Sequence, residues 1–182
     1  MSRGVILVEG ESDKAAVETL AARLGRDLAA DGVSVVAMGG AGNALRYATT
    51  YARTGVLLAG MYDVGEMREF RRALEGSGMG PIDTHEEMEH FGFFVCDPDL
   101  EAELIRALGT ATVEAVLESQ GELGSFRIMQ RQPAQRGRPV EDQLRRFLGT
   151  RSGRKVAYGR LLAEALDLGR VPRPLEGVIA YL

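Results

Sequence analysis

The chain has 182 residues, 45% of them hydrophobic and 26% charged, and its formal net charge is −4. This length and composition are typical of one globular domain and exclude a disordered or fibrous chain. No apolar run reaches the roughly 18 residues that a membrane-spanning helix requires. The single cysteine, Cys96, excludes a disulfide framework and a cysteine-rich zinc site, so we expect a cytoplasmic protein.

Strands and helices are predicted to alternate through the first hundred residues. Helical spacing of apolar residues follows the strand-like runs, and the alternation predicts a parallel sheet with helices on both faces. Right-handed crossovers then bring the carboxyl ends of all the strands to one edge, where such sheets bind ligands. The short apolar runs that predict buried strands lie at 4–8, 33–38, 56–60 and 91–95.

The second half of the chain is predicted to be helical and basic. We expect an α/β core over residues 1–126 and a helical extension over 127–182 that packs on the core and completes the site. The segment from Arg127 to Arg160 contains ten basic residues and two acids, which gives it a net charge of +8. The remainder of the chain contains twelve basic residues and 24 acids. This division suits a protein that binds cations in one place and a polyanion in another, although two solvated surfaces explain it equally well.

Acidic residues follow three of the predicted strands. Glu9 ends the first strand, Asp63 the third and Asp97 the fourth, so all three are expected at one edge of the sheet. Mutual repulsion between these carboxylates would raise their pKa values, and a bound divalent cation removes that cost. Ligand sets made only of oxygen favour Mg²⁺, Mn²⁺ or Ca²⁺ over zinc.

The segment from Val5 to Asp13 is the most specific motif in the sequence. A hydrophobic strand ends in Glu9-Gly10, and a second acid, Asp13, stands four residues after Glu9 at the start of a predicted helix. This pattern resembles the first motif of Toprim domains, the metal-dependent catalytic domains of topoisomerases, bacterial primases and related nucleases. The resemblance implies that Glu9 and Asp13 bind a metal ion. The simpler alternative is a strand-to-helix turn whose acids complement the helix dipole.

The second Toprim motif, Asp-x-Asp after the third strand, is incomplete. Asp63-Val64-Gly65 supplies its first acid only, and Glu66 is the residue whose longer side chain can replace the missing one. Asp97-Pro98-Asp99 spells the motif literally, but it follows the fourth strand and therefore has the wrong chain order. We interpret Asp97 as the N-cap of a helix that begins at Pro98.

Two later segments resemble one branch of the Toprim domains, the OLD (overcoming lysogenization defect) nucleases. In Asp97-Pro98-Asp99-Leu100-Glu101 the resemblance implies that Glu101 binds metal, and in the segment around Arg154-Lys155 it implies a functional lysine. An exposed acid in the first turn of a helix is the alternative for Glu101. Lys155 is one of only two lysines in an arginine-rich chain, which favours a need for a compact point charge.

The expected activity is Mg²⁺-dependent hydrolysis of phosphodiesters in DNA, with RNA as the alternative substrate. Mn²⁺ or Ca²⁺ is expected to substitute, with one or two ions bound. Glu9 and Lys155 are the predicted catalytic residues, and Glu9, Asp13, Asp63, Glu66 and Glu101 are the predicted metal ligands. The predicted contacts to nucleic acid are Gly40, in a glycine-rich turn after the second strand, and Arg131, Arg136, Arg138, Arg151 and Arg154.

Two other functions fit parts of the pattern. Because Gly65 replaces an acid, the chain is alternatively a non-catalytic Toprim module that binds DNA or a partner. A phosphorylated receiver-like domain also places an acid after the third strand, but its lysine ends a fifth strand, whereas Lys155 opens a predicted helix. No Walker motif is present, so the resemblance implies a free-standing Toprim protein that works with an ATPase supplied in trans.

Overall fold

The computed structural model describes residues 3–150 and 152–182, with the side chain of Ser152 excepted. In this part of the chain four parallel strands form one sheet in the order β2-β1-β3-β4. The predicted mostly parallel, four-stranded α/β fold with a helical C-terminal segment is therefore confirmed. The strands are β1 (Gly4–Val8), β2 (Val33–Ala37), β3 (Leu57–Asp63) and β4 (Phe93–Cys96).

Helices cover both faces of the sheet and form the C-terminal part of the molecule. Three of them, α4, α7 and α10, were not predicted individually from the sequence. The helices are α1 (Glu11–Arg23), α2 (Ala44–Ala52), α3 (Met67–Gly76), α4 (His85–His90), α5 (Leu100–Leu108), α6 (Thr110–Ser119), α7 (Leu123–Gln130), α8 (Val140–Gly149), α9 (Ser152–Ala165) and α10 (Arg173–Tyr181).

Strand β1 lies between two hydrophobic cores, one on each face of the sheet. Its residues alternate between the faces of the sheet, so Ile6 and Val8 join one core while Val5 and Leu7 join the other. All four side chains are buried, which explains why the strand is continuously apolar in sequence. The parallel register places the end of β1 beside the end of β2 and sets the end of β3 beside that of β4.

The C-terminal helices are part of the same core as the sheet. The predicted boundary after residue 126 falls within α7, and Phe126 and Phe147 pack together in the core cluster that also contains Ile6. Helix α9 packs along α1 so closely that a Cβ atom on Gly159 would lie 2.4 Å from the carbonyl oxygen of Ser12. This contact fixes the start of α9 relative to the loop after β1.

No helix in residues 3–150 and 152–182 combines the length and the apolar character needed to cross a membrane.

Candidate metal centre

The loop after β1 presents two acids to the carboxyl edge of the sheet. Glu9 follows the last residue of the strand, and Gly10 is the N-cap of α1. The Asp13 carboxylate accepts a hydrogen bond from the Gly10 N–H at 2.8 Å, so it closes the first turn of the helix. Asp13 thus has a structural role at the helix start, and it is also held on the side of the sheet where Glu9 lies.

A second pair of acids follows β3. Asp63 is the last residue of the strand, and a single 3₁₀ turn over Val64–Glu66 reverses the chain. One carboxylate oxygen from each of Glu9, Asp63 and Glu66 lies within 4.8 Å of the others. We call these three residues the acidic triad. The structure therefore places Glu66 where the incomplete second motif needs another carboxylate.

Burial and mutual repulsion make the acidic triad unfavourable as three bare charges. Burial raises the pKa of Asp63 to about 8, with Asp13, Asp99 and Glu9 adding negative charge. Burial likewise raises the pKa of Glu66 to about 7, and Glu9 adds to that shift. Such raised pKa values are typical of carboxylates that gather at a functional site.

The acidic triad fits a divalent cation. Its donors are all carboxylate oxygens, which Mg²⁺, Mn²⁺ and Ca²⁺ prefer. Oε2 of Glu66 is buried and has no hydrogen-bond partner among the described residues, so a buried acceptor is left for an ion to satisfy. Toprim domains bind divalent metals, and this arrangement of Glu9, Asp63 and Glu66 can hold one ion.

The remaining predicted ligands, Asp13 and Glu101, lie beside the acidic triad rather than within it. Glu101 is buried in the first turn of α5 and pairs with Lys155 across a distance of 3.2 Å. Burial raises the pKa of Asp13 to about 6, and the charges of Glu101 and Glu9 add to the shift. Metal binding by Asp13 and Glu101 stays a prediction.

Helix α5 begins two residues later than the sequence indicated. We interpreted Asp97 as its N-cap, which was wrong: Asp99 is the N-cap, and its side chain accepts a hydrogen bond from the Ala102 N–H at 2.9 Å. The reason is that the helix starts at Leu100 rather than at Pro98. This register puts Glu101 in the first helical turn, facing Lys155 of α9.

Lys155 is a cation held among carboxylates. Burial alone would lower the pKa of its ammonium group, but the charges of Glu101 and Asp13 outweigh this effect and raise the pKa. Lys155 therefore stays protonated at neutral pH. Its side chain remains 41% exposed while Glu101 is 12% exposed, so the ammonium group is accessible from solvent.

The glycine-rich turn after β2 is hydrogen-bonded to the end of β1. The N–H groups of Gly39 and Gly40 both donate to the carbonyl oxygen of Glu9, at 3.0 and 3.1 Å. The turn uses the Gly40 N–H to hold the end of β1, and the contact of Gly40 with nucleic acid stays a prediction. Gly40 has a φ of +115°, a conformation that side-chain-bearing residues rarely adopt.

Arg154 forms an ion pair within the protein, and its contact with nucleic acid stays a prediction. Its guanidinium donates to both carboxylate oxygens of Glu122 and lies 4.1 Å from the ring centroid of Phe147. Only 10% of the side chain is exposed. The arginine therefore ties α9 to the start of α7 and to α8.

The other predicted arginines lie at different places on the surface. Arg131 and Arg136 are exposed on the connection between α7 and α8, where Arg136 donates to the carbonyl oxygen of Arg131. Arg138 lines a groove of about 630 Å³ that reaches Glu101 and Lys155. Arg151 lies outside the described residues.

Sequence reasoning did not single out two arginines of α8, Arg145 and Arg146, which also line this groove. The apolar spacing of the helix contains the signal: Leu144, Phe147 and Leu148 are buried, so positions 145 and 146 face outward. The long-range pairing of Arg145 with Asp99, at 2.5 Å, has no sequence signal because 46 residues separate the two.

A parallel sheet with acids gathered at its carboxyl edge is an arrangement that can bind a divalent metal ion. Residues 1–64 match the sequence profile of the family described as "Overcoming lysogenization defect protein-like, TOPRIM domain". The resemblance noted from the sequence is thereby confirmed over residues 1–64, which are similar to an OLD-like Toprim domain. No curated protein matches the chain.

Solved structures with the same fold extend the similarity over the whole chain. The C-terminal region of the Xanthomonas campestris pv. campestris OLD protein superposes with a TM-score of 0.73 and 22% identity, covering 100% of this chain and 94% of that one. The C-terminal region of the Burkholderia pseudomallei OLD protein gives a TM-score of 0.72 and 22% identity, with coverages of 100% and 96%. At this identity the similarity establishes the fold, including the C-terminal helices.

Proposed function

We propose that the protein is a Mg²⁺-dependent nuclease that hydrolyses phosphodiesters in DNA. The observation that carries this proposal is the acidic triad, whose donor atoms lie within 4.8 Å of one another at the carboxyl edge of the sheet. The Lys155–Glu101 pair, linked electrostatically to Asp13 and Asp63, supplies a cation beside it. Carboxylates for a divalent ion and a lysine for a phosphate are the parts that phosphodiester hydrolysis requires.

The acidic triad would hold the metal ion, which when bound supplies Lewis-acid polarisation of the phosphodiester and lowers the pKa of an attacking water. Lys155 donates to a non-bridging phosphate oxygen and neutralises the charge that develops there. Because its pKa is raised, the lysine acts as a fixed positive charge and does not exchange protons near neutral pH. Glu101 orients the lysine through their 3.2 Å contact.

The direct test replaces one carboxylate of the acidic triad without changing its size. Glu9→Gln removes one negative donor, so we expect Mn²⁺-dependent nicking of supercoiled plasmid to fall to the level seen with EDTA. Glu11→Gln is the matched control, because Glu11 is exposed, carries the same charge and lies two residues away. We expect the control to nick at the wild-type rate, and circular dichroism establishes that both variants fold.

Equal nicking by Glu9→Gln and wild type, in preparations free of contaminating nuclease, would contradict the assignment. The alternative function is a non-catalytic module that binds DNA or an ATPase supplied in trans. One observation favours it: Lys155 already pairs with Glu101 and Asp13 lies outside the acidic triad, so three of the five predicted carboxylates come together. Mn²⁺ binding by calorimetry without any nicking would support this alternative.

A further inference from the structure

A groove that contains Glu101 and Lys155 is lined by arginines of the C-terminal half of the chain. It has a volume of about 630 Å³, and its charged lining residues are four cations and three acids: Arg138, Arg145, Arg146 and Lys155, with Asp99, Glu101 and Asp142. We call it the arginine groove. It shares two residues with the candidate site, so a chain lying in the groove leads directly to Lys155.

The arginines in this groove differ in whether they already form an ion pair within the protein. Arg145 pairs with Asp99, the N-cap of α5, and so holds the helix that carries Glu101. Arg138 and Arg146 have no carboxylate within 4.0 Å among the described residues, and both are exposed. The guanidinium groups of Arg138 and Arg146 are thus available to bind an external anion. Guanidinium groups pair well with the phosphates of a nucleic-acid backbone.

We propose that the arginine groove binds DNA backbone phosphates adjacent to the scissile one, with Arg138 and Arg146 as the contacts. This inference rests on the proposed function, because the proposed function places the scissile phosphate at Lys155. The contacts are to the backbone, so the groove binds without reading base sequence. Arg145 is a positioning residue that keeps α5 in place through Asp99.

The test measures binding of a short fluorescein-labelled DNA duplex by anisotropy in EDTA, so that it does not depend on cleavage. The Arg138→Ala/Arg146→Ala double variant is expected to bind roughly tenfold more weakly at moderate salt. The slope of log K against log salt concentration is expected to become shallower by about 1.8, which corresponds to two lost duplex phosphate contacts. Arg53→Ala is the control, because Arg53 is exposed just before the amino end of β3, opposite the site.

An affinity and salt slope equal to those of Arg53→Ala would overturn the proposal, as would wild-type protein that binds no DNA. A second readout separates binding from chemistry: the double variant should raise KM for nicking and leave kcat near that of wild type. Unchanged Mn²⁺ affinity establishes that the acidic triad is intact. Failure of the nuclease assignment would look different, with DNA binding retained and no metal-dependent cleavage in any variant.

Discussion

Glu66 takes the place of the second acid of the Asp-x-Asp motif. By sequence order that acid would stand at position 65, where this chain has a glycine. Gly65 has no side chain, and the 3₁₀ turn over Val64–Glu66 rotates the next residue toward Glu9 and Asp63. The sequence identified Glu66 as a substitute for the missing acid, but the geometry of the turn decides whether its carboxylate reaches the site. A glutamate after a tight turn thus provides the third carboxylate of the acidic triad.

The raised pKa of Asp63 makes the stability of the metal-free protein depend on pH. An aspartate whose pKa is about 8 when folded and near 3.9 when unfolded binds more protons in the folded state between these values. The free energy of unfolding therefore decreases as pH rises through that interval. Glu66, with a pKa of about 7, contributes in the same direction.

Asp63→Asn is accordingly expected to stabilise the protein in EDTA at pH 8, because the amide carries no charge at any pH. A gain of about 1 kcal/mol corresponds to a rise in Tm of roughly 2–4 °C for a chain of this size. Thermal unfolding followed by circular dichroism measures the change. Asp83→Asn, at an exposed site, is the control that should leave Tm unchanged. A lower Tm for Asp63→Asn in EDTA would show that the carboxylate stabilises the metal-free fold.

At the scale of elements, the packing of α9 on α1 positions Lys155. Gly159 lies one turn after Lys155, and a Cβ atom there would meet the Ser12 carbonyl oxygen at 2.4 Å. Both groups belong to helix backbones, so neither can rotate away as a flexible side chain would. The glycine lets the two helices approach closely enough for Lys155 to interact with Asp13 and Glu101.

Gly159→Ala is expected to force α9 away from α1. Overpacking of this kind costs about 1–3 kcal/mol, and a displaced Lys155 should reduce nicking by up to about 100-fold. Thermal unfolding and plasmid nicking measure the two effects. Gly153→Ala changes the same residue type in the same helix, where a Cβ atom meets nothing within 4 Å. If both alanine variants resemble wild type, the close helix contact has no role in the site.

The strands and the first helices were predictable because their signals are local. A strand buried on both faces reads as a continuous apolar run, and an acid directly after such a run must lie at the carboxyl edge. Helices α4, α7 and α10 gave weaker signals, and the N-cap of α5 was placed at Asp97 instead of Asp99. The difference arises because Pro98 marks a helix start in sequence, whereas the Asp99 side chain caps the helix in the structure.

At the scale of the whole molecule, the division of charge predicts an acidic site and a basic surface but does not show which arginines lack an ion-pair partner. Arg154 and Arg145 belong to the region of charge +8, yet Glu122 and Asp99 from the rest of the chain neutralise them. Such long-range pairs depend on tertiary packing and leave no periodic trace in sequence. What remains is a smaller basic surface, the arginine groove, which includes the Lys155–Glu101 pair.

The central claim is that carboxylates distant in sequence share one divalent ion at the edge of the sheet. Anomalous diffraction from a crystal soaked in Mn²⁺ tests it most directly. The account predicts one strong peak in direct contact with oxygens of Glu9, Asp63 and Glu66, at the distances of about 2 Å that small divalent cations adopt. The absence of a peak there at saturating Mn²⁺, or a peak held by other residues while these three carboxyl groups bond to each other, would contradict it.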